Sequence, residues 1–375
     1  MGDGPGNRRR PADEVEVDLG DVAVLPGLVN AHTHLELSYL RDEVPPTSDF
    51  VTWIRAVMAA RRQRPEAKSR EILDAVDAAL VECIASGTAV VGDISNTLVT
   101  FDPLARSPLA AVVFYELIRF HARDPVGLVD AARREIGALR ATDHVRPSLA
   151  AHAPYSVAPL LIREIRQAVG RDPSARWSIH LSESSAEVEF LHCGSGPWRE
   201  LLEEVRGWDP AWEAPGVSPV QFLDDSGLLD AHTLAVHGVQ MSVADLGRLA
   251  ARGTPLVTCP RSNAHTGAGT PPIAAFYESR VKVAIGTDSL ASTADLNMFG
   301  ELAAMRAIAP TVPARLLLES ATLQGARALG FDAEFGSIHP GKLARVIAVD
   351  VPAGTDDVEE YLLSGIQPAE IRWVE

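Results

Sequence analysis

The stretch Pro26–Glu36, which reads Pro-Gly-Leu-Val-Asn-Ala-His-Thr-His-Leu-Glu, decides how the rest of the chain is interpreted. An apolar run leads directly into a His-x-His step. Residues two apart in an extended strand project on the same side, so His32 and His34 can direct two imidazoles at one point. This geometry suits a divalent transition metal, although paired histidines also occur on solvated loops. The choice between these readings depends on which polar residues end the later strands.

Charge and composition narrow the classes of partner. The chain has 375 residues, 46% of them hydrophobic, and a formal net charge of -16. This length allows one large α/β domain with an appendage, or two ordinary domains. Nucleic acids and anionic membranes bind surfaces rich in Lys and Arg. The acidic balance therefore argues against both and favours a small-molecule ligand.

The cysteines indicate a reducing compartment. Cys83, Cys193 and Cys259 are far apart and form no Cys-x-x-Cys pair. Neither a disulfide framework nor a thiolate zinc site is predicted, and the cytoplasm is the expected location. Residues 1–12, rich in Gly, Pro and Arg, are expected to be disordered and to carry no secretory signal. No stretch approaches the roughly twenty apolar residues of a membrane span.

Strand-like and helical patterns alternate from residue 25 onward. Eight strand-like runs are predicted, at Leu25–His34, Thr88–Ile94, Leu109–Leu117, Val145–His152, Trp177–Leu181, Thr233–Val239, Thr254–Cys259 and Val281–Thr287. Most are separated by helical patterns, which predicts parallel strands with crossover helices. Eight such strands can close into a (β/α)8 barrel, with a doubly wound open sheet as the alternative. Because no Gly-x-Gly-x-x-Gly follows an early strand, a dinucleotide site is not expected.

The two ends of the chain are expected to form a separate small subdomain. Val15–Val24 alternates like a strand, and residues 336–350 read as a turn followed by a strand. Their pairing would make a β subdomain from residues 1–24 and 336–375, with residues 25–335 forming the barrel. One helix is predicted over 313–329. Residues 193–217, rich in Gly, Pro and Trp, are interpreted as an excursion between the fifth and sixth barrel strands.

Imidazoles and carboxylates stand where the barrel strands end, which is where the active site of such a barrel lies. They are His32 and His34, His152, His180 with Glu183, His237, and Asp288. A lone strand histidine is often a core residue, but chance explains the whole set poorly. Imidazole and carboxylate without thiolate suit Zn²⁺, with Fe²⁺ or Mn²⁺ as alternatives. We predict that one ion is bound by His32, His34, His180 and Asp288.

Lysine usage favours one ion over two. The only lysines are Lys68, Lys282 and Lys342, and residues 145–151 contain no Lys, Glu or Cys. The fourth predicted strand therefore offers no side chain to bridge a second ion.

Three side chains are predicted to act in the chemistry. A bound ion lowers the pKa of water from 15.7 to about 7, and Asp288 can accept the proton released. His237 is interpreted as orienting the resulting hydroxide, although the sequence leaves direct ligation open. Glu183 can give a proton to a ring nitrogen and later to the leaving group. The alternative for Glu183 is a helix N-terminal residue in Ser182-Glu-Ser-Ser.

Taken together, the motifs resemble the amidohydrolase superfamily, in particular its mononuclear branch of cytosine, guanine, chlorotriazine and S-adenosylhomocysteine/methylthioadenosine deaminases. The matching pieces are the Pro-Gly-Leu-Val-Asn-Ala-His-Thr-His segment, His152-Ala-Pro-Tyr155, His180-Leu-Ser-Glu183, Val236-His237-Gly, Cys259-Pro-Arg-Ser-Asn263 and Gly286-Thr-Asp288-Ser. The resemblance implies the same four metal ligands, assistance by Glu183 and His237, and a substrate contact by His152. Family members usually have a longer segment before the His-x-His step, so a truncated β-sandwich subdomain is expected.

The segments around Arg261 and Asp288 look most like enzymes proposed to be aminofutalosine deaminases of menaquinone biosynthesis. Arg261 is expected to hold a substrate carboxylate, with a structural ion pair as its alternative. Trp53 is expected to stack on a heteroaromatic ring, or else to be helix core. Glu116 is expected to contact substrate, or else to be a charged residue of the barrel rim.

The predicted function is hydrolytic removal of the exocyclic amine of a purine-like ring or nucleoside derivative, with release of ammonia. The expected partner is a small heteroaromatic substrate, and a homodimer is the assembly considered. Hydrolysis of an amide or of a carbon–chlorine bond is the alternative within the same class. A non-catalytic barrel subunit is the alternative from another class, but it would show gaps among the ligand positions, and none is missing.

Overall fold

The computed structural model describes residues 17–140 and 142–374. Within these ranges the strands are β1 (Val22–Pro26), β2 (Leu28–Thr33), β3 (Thr88–Ser95), β4 (Ala110–Leu117), β5 (Val145–Ala151), β6 (Trp177–Leu181), β7 (Thr233–His237), β8 (Leu256–Thr258), β9 (Val283–Ile285), β10 (Val346–Asp350) and β11 (Ile371–Val374). The helices are α1 (Phe50–Arg62), α2 (Arg70–Ala85), α3 (Phe101–Arg106), α4 (Pro125–Gly137), α5 (Pro159–Val169), α6 (Ser185–Cys193), α7 (Pro197–Glu204), α8 (Pro219–Asp225), α9 (Val243–Arg252), α10 (Pro260–Thr266), α11 (Ile273–Glu278), α12 (Met298–Ile308), α13 (Ala314–Ser320), α14 (Leu323–Leu329) and α15 (Val358–Tyr361). Short 3₁₀ helices cover Leu35–Leu40 and Pro368–Glu370. Among the helices described, none is both long and apolar enough to cross a lipid bilayer.

The central sheet contains eight parallel strands, β2 to β9 in chain order. Its first and last strands meet through a parallel bridge between Thr33 and Asp288, where the Asp288 amide donates to the His32 carbonyl at 3.0 Å. The predicted (β/α)8 barrel is therefore confirmed, and the open doubly wound sheet is excluded. Val90, Val236 and Ala284 belong to the small apolar side chains buried together on these strands.

A second, antiparallel sheet joins the two ends of the chain in the order β1-β10-β11. Val22 pairs with Asp350 and Pro26 with Val346, so the predicted pairing of the terminal segments is confirmed. Residues 1–12 and the start of the predicted strand, Val15 and Glu16, lie outside the described residues. The domain boundaries at 24/25 and 335/336 stay a prediction.

Gly27 divides what was predicted as one strand, Leu25–His34, between the two sheets. Its N–H donates to the Arg345 carbonyl at 2.8 Å, whereas the next amide, that of Leu28, donates to Gly87 at 2.8 Å. A Cβ at position 27 would lie 2.6 Å from the Cβ of Ala89. Only glycine fits where the chain passes from one sheet to the other.

The prediction of one continuous helix over 313–329 is wrong in one respect. The segment is helical but is broken into two helices, α13 and α14. The break frees the Ala321 carbonyl, which accepts the Val29 amide of β2 at 2.8 Å. Tertiary hydrogen bonding of a barrel strand therefore outweighs the helical pattern at this point.

Candidate active site

The carboxyl ends of five barrel strands converge on one buried cluster of side chains. β2 supplies His32 and the adjacent His34, β5 leads to His152, β6 to His180 and Glu183, β7 to His237, and β9 to Asp288. His237 and Asp288 have left-handed backbone conformations, with φ of 77° and 61°. Such strained residues concentrate at functional sites, where the surrounding structure holds them.

Three histidines and one aspartate bring their polar atoms to a common point. Oδ1 of Asp288 lies 3.5 Å from Nε2 of His34 and 3.8 Å from Nε2 of His32. Nε2 of His180 lies 3.4 Å from Nε2 of His34. The structure therefore brings together all four predicted metal ligands.

The donor set fits a divalent ion. Both ring nitrogens of His32 are buried without a hydrogen-bond partner. His180 donates from Nδ1 to the His152 carbonyl at 2.8 Å, which leaves the lone pair of its Nε2 directed at the cluster. Burial lowers the pKa of His32 and His34 well below the ordinary value, helped by repulsion from neighbouring imidazoles, and lowers that of His180 to about 4. These imidazoles are neutral at pH 7, as metal ligands must be.

A second grouping of possible ligands, formed by Glu116, His152 and His180, has a different explanation. Oε1 of Glu116 lies 3.5 Å from Nδ1 of His180. That nitrogen carries the proton bonded to the His152 carbonyl, so it has no lone pair for an ion. The Glu116 carboxyl is held instead by Asn96, whose Nδ2 donates to Oε2 at 2.7 Å, while Oε1 has no hydrogen-bond partner among the described residues.

Glu183 and His237 form a buried pair beside the cluster. Oε1 of Glu183 lies 3.5 Å from Nε2 of His237. His237 donates from Nδ1 to Oδ1 of Asn263 at 3.0 Å, so Nε2 is the unprotonated nitrogen. His237 also groups with His32 and His180, which brings its ring to the edge of the histidine–aspartate cluster. The role predicted for His237, orienting a hydroxide beside the ion, stays a prediction.

Burial raises the pKa of Glu183 well above its ordinary value, and the charges of Asp288 and Glu187 raise it further. This shift favours the protonated form of the carboxyl, in which Glu183 can act as an acid.

A cavity of about 250 Å³ is lined by six of the side chains described above, namely His34, His152, His180, Glu183, His237 and Asp288. The remaining wall is largely apolar and aromatic, with Phe50, Trp53, Tyr155, Trp198 and Leu201 among its residues. The rings of Tyr155 and Trp198 stack with centroids 3.7 Å apart. Flat apolar walls around a few convergent polar groups are typical of sites for aromatic small molecules.

Three of the four residues predicted to contact substrate line the cavity, and one does not. Trp53, Glu116 and His152 all line the cavity. Arg261 does not: its Nε donates to Glu301 at 2.7 Å, and its Nη1 to Asp295 at 2.7 Å. Arg261 is therefore a structural residue between α10 and α12, and the predicted contact with a substrate carboxylate is corrected.

The arginine that does line the cavity, Arg61, was missed. It donates to Asn96 at 2.9 Å and to Glu36 at 3.2 Å. The spacing of Trp53, Val57 and Arg61 by four residues places them on one face of α1, and this signal could have found Arg61. The aromatic wall from α7 was also missed, because its segment was interpreted only as an excursion.

Comparisons with known proteins agree with this geometry. A sequence profile of the amidohydrolase family matches residues 23–368. An aminodeoxyfutalosine deaminase of Deinococcus radiodurans is 30% identical, over 87% of this chain and 78% of the relative. A 5-methylthioadenosine/S-adenosylhomocysteine deaminase of Moorella thermoacetica is 32% identical, over 91% of this chain and 76% of the relative. The crystal structure of a zinc-bound adenosine deaminase from Xanthomonas campestris has a TM-score of 0.79 at 27% identity, covering 94% of this chain and 78% of that one.

Proposed function

Because the chain belongs to the amidohydrolase family, we propose that it is a metal-dependent hydrolytic deaminase acting on the exocyclic amine of a purine-like ring in a nucleoside derivative. The family resemblance inferred from the motifs is thereby confirmed. Two relatives whose names describe deaminases of such compounds support the reaction class. The observation that carries the proposal is the buried Glu183 carboxyl, held beside His237 where the histidine–aspartate cluster meets the cavity.

We assign one Zn²⁺ ion to His32, His34, His180 and Asp288. Nitrogen and carboxylate donors suit this ion, and the adenosine deaminase with a similar fold binds zinc. When bound at such a site, the ion supplies a water whose pKa is lowered from 15.7 to about 7.

Glu183 acts as the acid and proton carrier. Its raised pKa favours the protonated carboxyl, which can give its proton to the ring nitrogen next to the amine-bearing carbon. Protonation there makes the carbon more electrophilic. The second proton of the attacking water reloads the same carboxyl, which protonates the amine so that it leaves as ammonia, and the first, taken up by Asp288 or His237, returns to Glu183 before the next turnover.

Asp288 and His237 position and deprotonate the attacking water. Oδ2 of Asp288 accepts a hydrogen bond from the Ser262 hydroxyl at 2.6 Å, which fixes the carboxylate while Oδ1 faces the histidines. His237, anchored through Asn263, directs an unprotonated Nε2 at the same space. Both can hold the water in line with the ring carbon.

The cavity walls favour a substrate with a flat ring and a further substituent. Trp53 and the stacked Tyr155–Trp198 pair offer aromatic surface for the ring or its substituent. His152 and Glu116 offer polar contacts near the metal cluster. We therefore propose a substrate of the aminofutalosine or S-adenosylhomocysteine/methylthioadenosine type.

We place the enzyme in the cytoplasm, since Cys83, Cys193 and Cys259 are unpaired. The homodimer stays a prediction.

Ammonia release, followed together with the ultraviolet change of the ring, tests the proposed function. Zinc-loaded protein would be given aminofutalosine, S-adenosylhomocysteine, methylthioadenosine, adenosine, guanine and cytosine. We expect ammonia from at least one of the four nucleosides. Silence across the panel, with one ion per chain confirmed, would overturn the deaminase assignment.

A further inference from the structure

A fully buried glutamate, Glu187, holds the backbone from which Glu183 projects. Its Oε1 accepts the Ser182 amide at 2.9 Å, and its Oε2 accepts the Glu183 amide at 2.8 Å. Ser184 caps α6, so Glu187 stands at the third helical position, where a glutamate commonly bonds back to the capping amide. Here the carboxyl reaches the two amides that precede the cap.

The peptide that Glu187 clamps has an uncommon conformation. Ser182 has φ of 54°, in the left-handed region that non-glycine residues rarely adopt. Its carbonyl accepts the Gln240 amide at 2.8 Å, so the Ser182–Glu183 peptide is held from both sides. A strained segment persists only where its surroundings fix it, and the Glu187 carboxyl provides one of the two restraints.

The stability of the fold does not explain why a glutamate is buried at position 187. Its hydrogen-bond partners among the described residues are backbone amides and the Ser184 hydroxyl that accepts its own amide, and no ion pair to it is found there. A buried carboxyl without a cation carries a desolvation penalty that an apolar side chain would avoid. Burial accordingly raises the pKa of Glu187 to about 7, against the lowering effect of the amides.

We propose that Glu187 is a positioning residue, which fixes the Glu183 carboxyl for proton transfer by holding the Ser182 and Glu183 amides. This inference rests on the proposed function, since it assigns Glu183 to the chemistry. Glu187 is fully buried and does not line the cavity, so it acts through Glu183.

Glu187→Gln tests the proposal, because glutamine keeps the shape but has one oxygen for two amides. We expect kcat to fall by about tenfold to a hundredfold, as small misplacements of reacting groups do. KM and the bound metal should stay unchanged. The matched control is Asp245→Asn, which alters a buried carboxylate that accepts the Ser242 amide at 3.0 Å on α9, away from the cavity. The control should keep kcat within about twofold.

Hydrogen–deuterium exchange gives a readout that needs no turnover. Glu187→Gln should accelerate exchange at the Ser182 and Glu183 amides, whereas Asp245→Asn should leave both unchanged. Unaltered exchange, or kcat within twofold of the parent in an active enzyme, would overturn the positioning role. If the parent deaminates nothing while Glu187→Gln still shows the faster exchange, the proposed function would be contradicted and the clamp by Glu187 retained.

Discussion

Oε1 of Glu183 lies 3.5 Å from Nε2 of His237, and both side chains are buried where the cavity reaches the histidine–aspartate cluster. Glu183→Gln should therefore reduce kcat by about 10²–10⁴-fold, since glutamine carries no transferable proton. Metal content should not change, because Glu183 is not an assigned ligand. The control is Glu189→Gln, an α6 position outside the cavity lining. Turnover that survives in Glu183→Gln would show that another group supplies the proton.

His180→Ala should reduce zinc binding. The lone pair of its Nε2 faces the cluster, while its Nδ1 donates a hydrogen bond to the His152 carbonyl. Elemental analysis after dialysis should find well under one ion per chain, and the parent should lose thermal stability when the ion is chelated, since the donors converge only in the folded chain. The control is His339→Ala, which alters an exposed histidine and should leave the metal content at one ion per chain. Full occupancy in His180→Ala would remove this histidine from the ligand set.

Arg261→Gln should destabilise the fold without changing substrate preference. Its partner Glu301 is fully buried, and breaking such a pair typically costs about 3–5 kcal/mol. Arg55→Gln, which breaks the exposed pair with Glu204, should cost under about 1 kcal/mol. Denaturant titration measures both changes. A selective rise in KM for substrates that carry a carboxylate would restore Arg261 to substrate binding.

The parts of the site that the sequence predicted are those fixed by strand geometry. His32 and His34 project from the same side of the chain because side chains alternate along a strand. All parallel strands of a barrel end at the same face, independently of the loops that connect them. The positions of His180, His237 and Asp288 follow from the same rule. Barrel topology and the convergence of the histidine–aspartate cluster could therefore be predicted without any tertiary contact.

The parts that failed depend on helix phase and on long-range partners. Arg261 opens α10, and its direction was decided by Glu301, forty residues later. The spacing of Arg61 from Trp53 and Val57 places it on their face of α1, but that this face lines the cavity depends on how α1 packs. Glu187 looks like an ordinary residue of the first helical turn until the left-handed Ser182 backbone is seen beside it.

Asp93 makes the stability of the protein depend on pH. It is completely buried on β3, where its carboxyl accepts the Leu35 amide at 2.9 Å and the Thr100 hydroxyl at 2.5 Å. Leu35 directly follows the His-x-His step, so Asp93 supports the segment that carries the predicted ligands His32 and His34. Burial raises the pKa of Asp93 from 3.8 to about 8, despite the opposing effect of both hydrogen bonds.

Between pH 3.8 and about 8 the folded chain keeps a proton on Asp93 that the unfolded chain has released. This contribution is complete below pH 3.8 and is lost as pH rises towards the folded pKa, by up to about 1.4 kcal/mol per pH unit. Asp93→Asn keeps an acceptor for the Leu35 amide and presents an amide N–H, in place of an acceptor oxygen, to the Thr100 hydroxyl, but it has no such proton. Denaturant titrations at several pH values between 5 and 7.5 should therefore give a shallower fall of the unfolding free energy with pH in this variant than in the parent or in the exposed control Asp77→Asn. Parallel curves for all three proteins would mean that Asp93 is ionised in the folded state, and that the loop after His34 is held by a charged carboxylate.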